Sequence, residues 1–424
     1  MFGTSSRATQ PPEAFPLIDR TGGPDEEQGM QQGRAIRPHR LIRLKVKRLC
    51  STSAPVRHAA YLVLSVGSIS ISIFLFTFIM SKLGYYDFDF HGARPQYLDT
   101  PLPRPVVIRL AIISRSDEFS RRQLLRETML SGLPSDYVKV EHRFFTGEVP
   151  NGITEDTGIR DLLDREIRQH DDLQILDGIE ETWKRVSEKR FAALKWQTAS
   201  LPPSEYDYSM TLDSDSFCRF RTLSQRLVHI YSDMDPRTEP VLVGNMGRQK
   251  IYWQNTVSNT NEINSTTEPR EDEWIVGPRY PYPVGIGYML SSYLASAIAN
   301  MDPSIPHHIF YPYDDVMIGS WVAGLKEFHD PSNIFTKPAP EEGQGEMHRV
   351  TPRPYLPYPI DAKVVDDQAG WHDFKNRGAV SRQKSIGWDT ACVHRIKADE
   401  VQKLRGMEEV KTEWNETGKK EREH

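Results

Sequence analysis

The chain has 424 residues, 26% of them charged and 38% hydrophobic, with a formal net charge of −5. That length supports one large domain or two small ones, and the mildly acidic balance, with no basic face to outweigh it, argues against nucleic acid as a partner. Three cysteines are too few for a disulfide framework. Cys50 lies beyond the apolar run described next, and Cys218 and Cys392 fit either one bridge in an oxidising compartment or two buried free thiols.

The first stretch, to about Ile36, is rich in Pro, Gly and Gln and reads as disordered. Arg37, Arg40, Arg43, Lys45, Lys47, Arg48 and Arg57 then precede an uncharged apolar run from Tyr61 to Met80. That run is long enough to cross a bilayer as one helix. The basic flank places residues 1–60 in the cytosol and everything after the span on the other side. A cleaved signal peptide fits less well, because the run is long and starts far from Met1. Residues 81–104, with Pro95, Pro101 and Pro103, predict an extended stem. On a lumenal body, Asn264-Ser265-Thr266 and Asn415-Glu416-Thr417 are glycosylation acceptors by pattern, although such triplets are common by chance.

The body, residues 105–400, opens with Val106–Ile113, a β-branched run that predicts a buried strand. A helix over Ser116–Leu130 follows, carrying Arg121, Arg122 and Arg126 near one face. Lys139–Gly147 predicts a second strand; Ile159–His170 and Ile179–Thr198 are helical by pattern. Tyr208–Leu212 is a short strand running into Asp213-Ser214-Asp215. This alternation predicts an α/β fold with a mainly parallel central sheet, and ligands of such sheets sit at the carboxyl ends of strands, where Asp213 and Asp215 fall. Residues 235–274 are polar and Asn-rich and read as surface loops. Arg279–Ser292 is a Gly-rich turn feeding a helix through Met301, and Tyr311–Val322 sets Asp314 and Asp315 before an apolar helix. Pro338–Pro359 is irregular, and residues 401–424 form a charged tail expected to be exposed.

Two carboxylates one residue apart on a strand end point the same way out of the pleat, an arrangement that a shared cation relieves. Mg²⁺ and Mn²⁺ take oxygen ligands and bridge carboxylate to phosphate. Alone, an Asp-x-Asp is more often a solvated turn; its company changes that reading. Arg122, Arg126 and Thr128 form an R-x-x-x-R-x-T block. Glu166, Asp172-Leu173 and Asp177 form an acidic block, and Lys189 and Trp196 lie on one predicted helix. Tyr280-Pro281-Tyr282-Pro283-Val284-Gly285-Ile286-Gly287-Tyr288 and Asp314-Asp315-Val316 with Gly319 complete the series.

In that order, these blocks resemble the beta-1,3-galactosyltransferase family, glycosyltransferase family 31, a Fringe-like and core-1-like group with many fungal members. The resemblance covers about Val106 to Lys397 and departs from the family at Met129, usually Trp, and at Ser214, usually an acid. It implies a GT-A fold and an inverting hexosyltransferase. The donor is a UDP-sugar, galactose first and N-acetylglucosamine second, joined in beta-1,3 linkage to a glycan, glycoprotein or glycolipid acceptor. It also implies a Golgi type II membrane protein with a lumenal catalytic domain. The alternatives are a transferase of another GT-A family and a non-catalytic glycan-binding relative, and retention of Asp213, Asp215 and Asp315 argues against the latter.

Roles follow residue by residue. Asp213, Asp215 and His394, the last matching a late family histidine, would hold Mn²⁺ as a Lewis acid for the departing diphosphate. Arg122 and Arg126 would grip the donor through their planar forks, with a solvated helix face the bland alternative. Asp213, Gly285, Gly287 and Tyr288 would line the donor site, the glycines by close backbone approach. Asp315, with Asp314 beside it, is the candidate base for the acceptor hydroxyl; the pair would serve equally as a helix cap.

Overall fold

A computed structural model describes residues 54–82, 93–149, 156–199, 201–253, 274–300, 314–338, 347–373 and 386–414. The N-terminal tail up to residue 53, residues 83–92 of the stem and both glycosylation triplets lie outside these residues. The chain divides into two units, Met1–Asp87 and Phe88–His424. In the first, helix α1 (Ala54–Lys82) carries an apolar stretch, Tyr61–Met80, of 20 residues and mean hydropathy 2.3. Its serines and threonines do not break it, because their hydroxyls donate back to the preceding turn: Thr77 Oγ1 to the Ile73 carbonyl at 2.7 Å, Ser65 Oγ to that of Leu62 at 3.0 Å.

The second unit begins with β1 (Val106–Ile113), α2 (Phe119–Thr128), β2 (Val138–Glu148), α3 (Asp156–His170), β3 (Leu173–Glu180), α4 (Val186–Thr198) and β4 (Tyr208–Asp213). It continues through β5 (Phe217–Cys218), α5 (Phe220–His229), β6 (Val241–Gly244), β7 (Met246–Trp253), β8 (Trp274–Pro283), β9 (Tyr288–Ser291), α6 (Ser292–Ala299) and α7 (Asp314–Glu327). Strands β10 (Phe335–Pro338), β11 (Met347–Val350), β12 (Lys363–Asp366), β13 (Trp371–Asp373) and β14 (Cys392–His394) precede helix α8 (Ala398–Arg405).

A seven-stranded sheet of order β12-β6-β9-β4-β1-β2-β3 forms the centre. All its neighbouring pairs are parallel except those made by β9, which is antiparallel to both β4 and β6. β1 and β4 are buried almost throughout, so they carry no alternating pattern, as strands covered on both faces do not. Their register pairs Ile113 with Asp213, which brings the end of β4 level with the end of β1. A four-stranded antiparallel sheet, β11-β10-β8-β7, lies under α7. There Gly319 lets the helix approach closely: a Cβ at that position would stand 2.3 Å from Cβ of Tyr282. A three-stranded sheet, β13-β14-β5, is fastened by a disulfide between Cys218 and Cys392, which face each other in the β14–β5 register.

Several stretches differ from the pattern reading, among them Met347–Val350, a strand inside the segment read as irregular. Leu173–Glu180 is a strand, which takes Ile179 and Glu180 from the predicted helix and was not itself expected; β3 is the sheet's edge, mostly exposed or half-buried, so it lacks an apolar run. Val241–Gly244 and Met246–Trp253, inside the polar stretch read as loops, are strands, the first fully buried and too short to stand out, the second mixed in burial and polar in sequence. The charged tail is docked through residue 414: Val401, Leu404, Val410 and Trp414 enter the main core, while Lys403, Glu408 and Lys411 among the charges that masked them stay exposed. Glu413 is buried there as a cap on α5, accepting from the Thr222 amide at 3.1 Å, from its hydroxyl at 2.9 Å and from the Arg221 amide. Burial pushes its carboxyl upward, with Arg219 and Thr222 countering only in part.

Candidate active site

β4 ends at Asp213, and the chain turns at once: the Ser214 amide donates to the Ile113 carbonyl at 2.9 Å and the Ser216 amide to that of Asp213 at 3.0 Å. This turn leaves Asp213 and Asp215 half-exposed beside each other. His394 comes from far along the chain, at the end of β14, and its approach is fixed on both sides of Asp215. Cys392 is bridged to Cys218, and the Ile396 amide donates to the Asp215 carbonyl at 2.9 Å. Arg395, with φ of 63°, turns the backbone through the left-handed region immediately after the histidine.

One ligand atom from each of Asp213, Asp215 and His394 lies within 4.8 Å of the others. His394 Nε2 is 3.1 Å from Oδ1 of Asp215 and 3.9 Å from Oδ2 of Asp213. Two carboxylates and an imidazole are a donor set that suits Mn²⁺. Although burial acts to raise it, the Asp215 carboxyl is held below the usual range by the hydrogen bond to His394 and by the charges of His394 and Arg121.

Asp315 stands in the first turn of α7, partly exposed. Gly285 lies between it and the histidine: a Cβ there would be 3.3 Å from Asp315 Oδ2 and 3.3 Å from His394 Cε1. The site therefore brings together Asp213, Asp215, His394, Gly285 and Asp315. The side chain of Asp314 lies outside the described residues.

Gly287 has a different task. Its φ is 120°, and a Cβ would fall 2.6 Å from the Thr211 carbonyl, so glycine is needed to lay β9 against β4. Tyr288 is a core residue at 1% exposure, not a surface for sugar. The two predicted donor arginines are not at the cluster either. Arg122 is fully buried, donating to Glu166 at 2.7 and 2.9 Å and to the carbonyls of Arg115 and Ser116. Arg126 pairs with Asp172 at 2.6 Å and Glu166 at 2.7 Å. Spaced one helical turn apart, both point at α3 and the start of β3, and their donors are used there.

Sequence reasoning missed two arginines that do reach the site. Arg121, the neighbour on α2, donates Nε to the Ser214 carbonyl at 2.8 Å and Nη2 to that of Ile396, bolting the two acid-bearing and histidine-bearing segments together. Burial pushes its guanidinium down, opposed by Asp215 and Glu118. Arg190, on α4, donates to Oδ1 of Asp213 at 2.8 Å and lies 3.7 Å from Oδ1 of Asp315. Only its position next to Lys189, part of the helix block, hinted at it. Ser214, in the middle of the triplet, donates to Glu118 Oε2 at 2.7 Å, so a carboxylate from another segment stands beside it.

The sequence is similar to known proteins. Residues 120–330 match the galactosyltransferase family. The chain is 27% identical to mouse beta-1,3-galactosyltransferase 6 over 248 residues, which is 57% of this chain and 68% of the relative. The matched stretch holds Asp213, Asp215, Arg190 and Asp315 but ends before His394, whose place in the cluster rests on geometry. On these findings, the chain belongs to the galactosyltransferase family.

Proposed function

We propose that the protein is an inverting, Mn²⁺-dependent glycosyltransferase of GT-A type. It moves galactose, with N-acetylglucosamine as second choice, from a UDP-sugar to a glycan acceptor in beta-1,3 linkage. The observation that carries this reading is the Asp213, Asp215 and His394 cluster at the carboxyl end of the central strand, with Asp315 across Gly285 from it. That arrangement supports a cation site with a candidate base beside it.

Asp213, Asp215 and His394 would hold the ion, which supplies Lewis-acid neutralisation of the departing diphosphate. Gly285, lacking a side chain, keeps the approach between His394 and Asp315 clear, where a Cβ would crowd both. Asp315 accepts the proton of the acceptor hydroxyl as that oxygen attacks the anomeric carbon from the face opposite the diphosphate. Arg121 keeps Ser214 and Ile396 together, so the donor end of the site does not open as charge leaves it. Helix α1, with its basic N-terminal flank, would anchor the protein as a single-pass type II Golgi membrane protein, residues 1–60 cytosolic and 105–400 lumenal.

The test is direct. The detergent-solubilised full chain is incubated with UDP-galactose or UDP-N-acetylglucosamine and a panel of sugar acceptors, with Mn²⁺ or excess EDTA. Sugar transfer that depends on Mn²⁺ is expected, faster with UDP-galactose; undiminished turnover in EDTA refutes the metal role, and no transfer from any UDP-sugar refutes the enzyme.

A further inference from the structure

Arg190 is 1% exposed, yet it lies between two carboxylates that reach the surface, Asp213 at 29% and Asp315 at 24%. It comes from α4, whose next residue, Phe191, packs its ring edge-on to Trp321 of α7 at 5.5 Å. The helix that carries the arginine is therefore braced against the helix that carries Asp315. Its guanidinium also stands 5.9 Å from the ring of buried Tyr288 on β9. So placed, Arg190 touches segments from β4, β9 and α7 at once.

The contact divides the labour of the Asp213 carboxylate. Oδ1 accepts from Arg190 at 2.8 Å, while Oδ2 is the oxygen turned toward His394, 3.9 Å away. A carboxylate with one oxygen held by a guanidinium cannot rotate freely about its last bond. Groups that orient a ligand in this way typically change metal affinity by about 10–100-fold. Simple charge makes the opposite forecast, because removing a cation beside a cation site strengthens binding there.

Resting on the metal site proposed above, we propose that Arg190 is a positioning residue. It aims Oδ2 of Asp213 at the metal and holds Asp315 in register with it, through one buried side chain. The opposite signs make the idea testable. Mn²⁺ affinity is measured on the full chain without donor or acceptor, by the electron paramagnetic resonance signal of free Mn²⁺, alongside thermal melting. For Arg190→Gln we expect a loss of roughly 10–100-fold in affinity, with a cooperative melt retained. Arg190→Lys keeps the charge but loses the fork, and should fall between Arg190→Gln and the parent.

In turnover, kcat should drop more than KM for the donor changes, since a misaimed base acts only in the transition state. An affinity for Mn²⁺ in Arg190→Gln equal to or tighter than the parent's overturns the proposal. If Arg190→Gln does not fold, Arg190→Lys decides alone: unchanged affinity overturns the proposal and a loss of several-fold supports it. A parent protein whose Mn²⁺ binding is the same after Asp215→Ala refutes the metal site itself, and the proposal with it. Failure of the arginine variants alone leaves the site standing.

Discussion

Two groups of arginines and carboxylates border helix α2, and they are built to different rules. In the group that joins α2 to α3, Arg122 and Arg126 face Glu166 and Asp172, and every partner is largely buried. Charge is balanced and the donors are used up. In the group at the end of β4, Asp213, Asp215 and Asp315 are 29%, 45% and 24% exposed, and they outnumber the arginines that touch them. A closed group fastens elements together; a group whose carboxylates reach solvent beside a histidine is placed to meet a cation. Neighbouring arginines on α2 fall on the two sides of this divide: Arg121 reaches the backbone beside Asp213, Asp215 and His394, while Arg122, like Arg126 a turn later, does not.

The sharpest way to break the comparison is to remove an acid from each group. Asp215→Ala should abolish sugar transfer while leaving the melting temperature close to the parent's; residual turnover sensitive to EDTA would show that other ligands suffice. Asp315→Asn is nearly isosteric and should retain UDP and Mn²⁺ binding while kcat falls by about 10²–10⁴-fold, the usual worth of a general base. Normal transfer by Asp315→Asn would move the base elsewhere.

Glu166→Gln should do the reverse. Stranding Arg122 without its charged partner should cost about 3–5 kcal/mol of stability, as breaking buried pairs does. Mn²⁺ affinity of the molecules that remain folded should stay as in the parent. A metal-binding defect in this variant would mean that the two groups are coupled.

The smallest effect concerns pH. Asp172 is pushed down from 3.8 to about 2: burial raises it, but His142 and Arg126 more than compensate. A lowered carboxyl stabilises the fold above its unfolded-state value, and that contribution is lost as pH falls from about 4 toward 2. Asp172→Asn should flatten the dependence of melting temperature on pH in that window. An unchanged slope would show that Asp172 is not the group responsible.

Much of this was legible in the chain itself. The β1 and β4 runs are apolar enough to declare buried strands, and Asp213 and Asp215 announce a strand end by their spacing. What could not be read was direction. Arg121, Arg122 and Arg126 share a helix, and only the packing of α2 on α3 decides which of them turn away. Arg190 carries no motif, because its meaning comes from two carboxylates that are distant in sequence. The tail through Trp414 was hidden for a related reason: its four core residues are diluted among charges, and pattern reads the average. Gly285 and Gly287 look equivalent in sequence, but one lies between His394 and Asp315 and the other meets a backbone carbonyl.

The bridge between Cys218 and Cys392 also bears on how the protein is made. The two cysteines are 174 residues apart, and the later one lies two positions before the proposed ligand His394. Translation delivers Asp213 and Asp215 early and the histidine almost last, so a nascent chain carries the acids without the third ligand. In an oxidising compartment, closing a loop of that length restricts the unfolded chain by about 5 kcal/mol in the loop-entropy account. A reducing environment removes that restraint from the segment that brings the histidine home. Reductant added during synthesis should therefore yield full-length protein with weakened Mn²⁺ binding, and a product that binds as tightly as the oxidised one would show that the Ile396 and Arg121 contacts suffice.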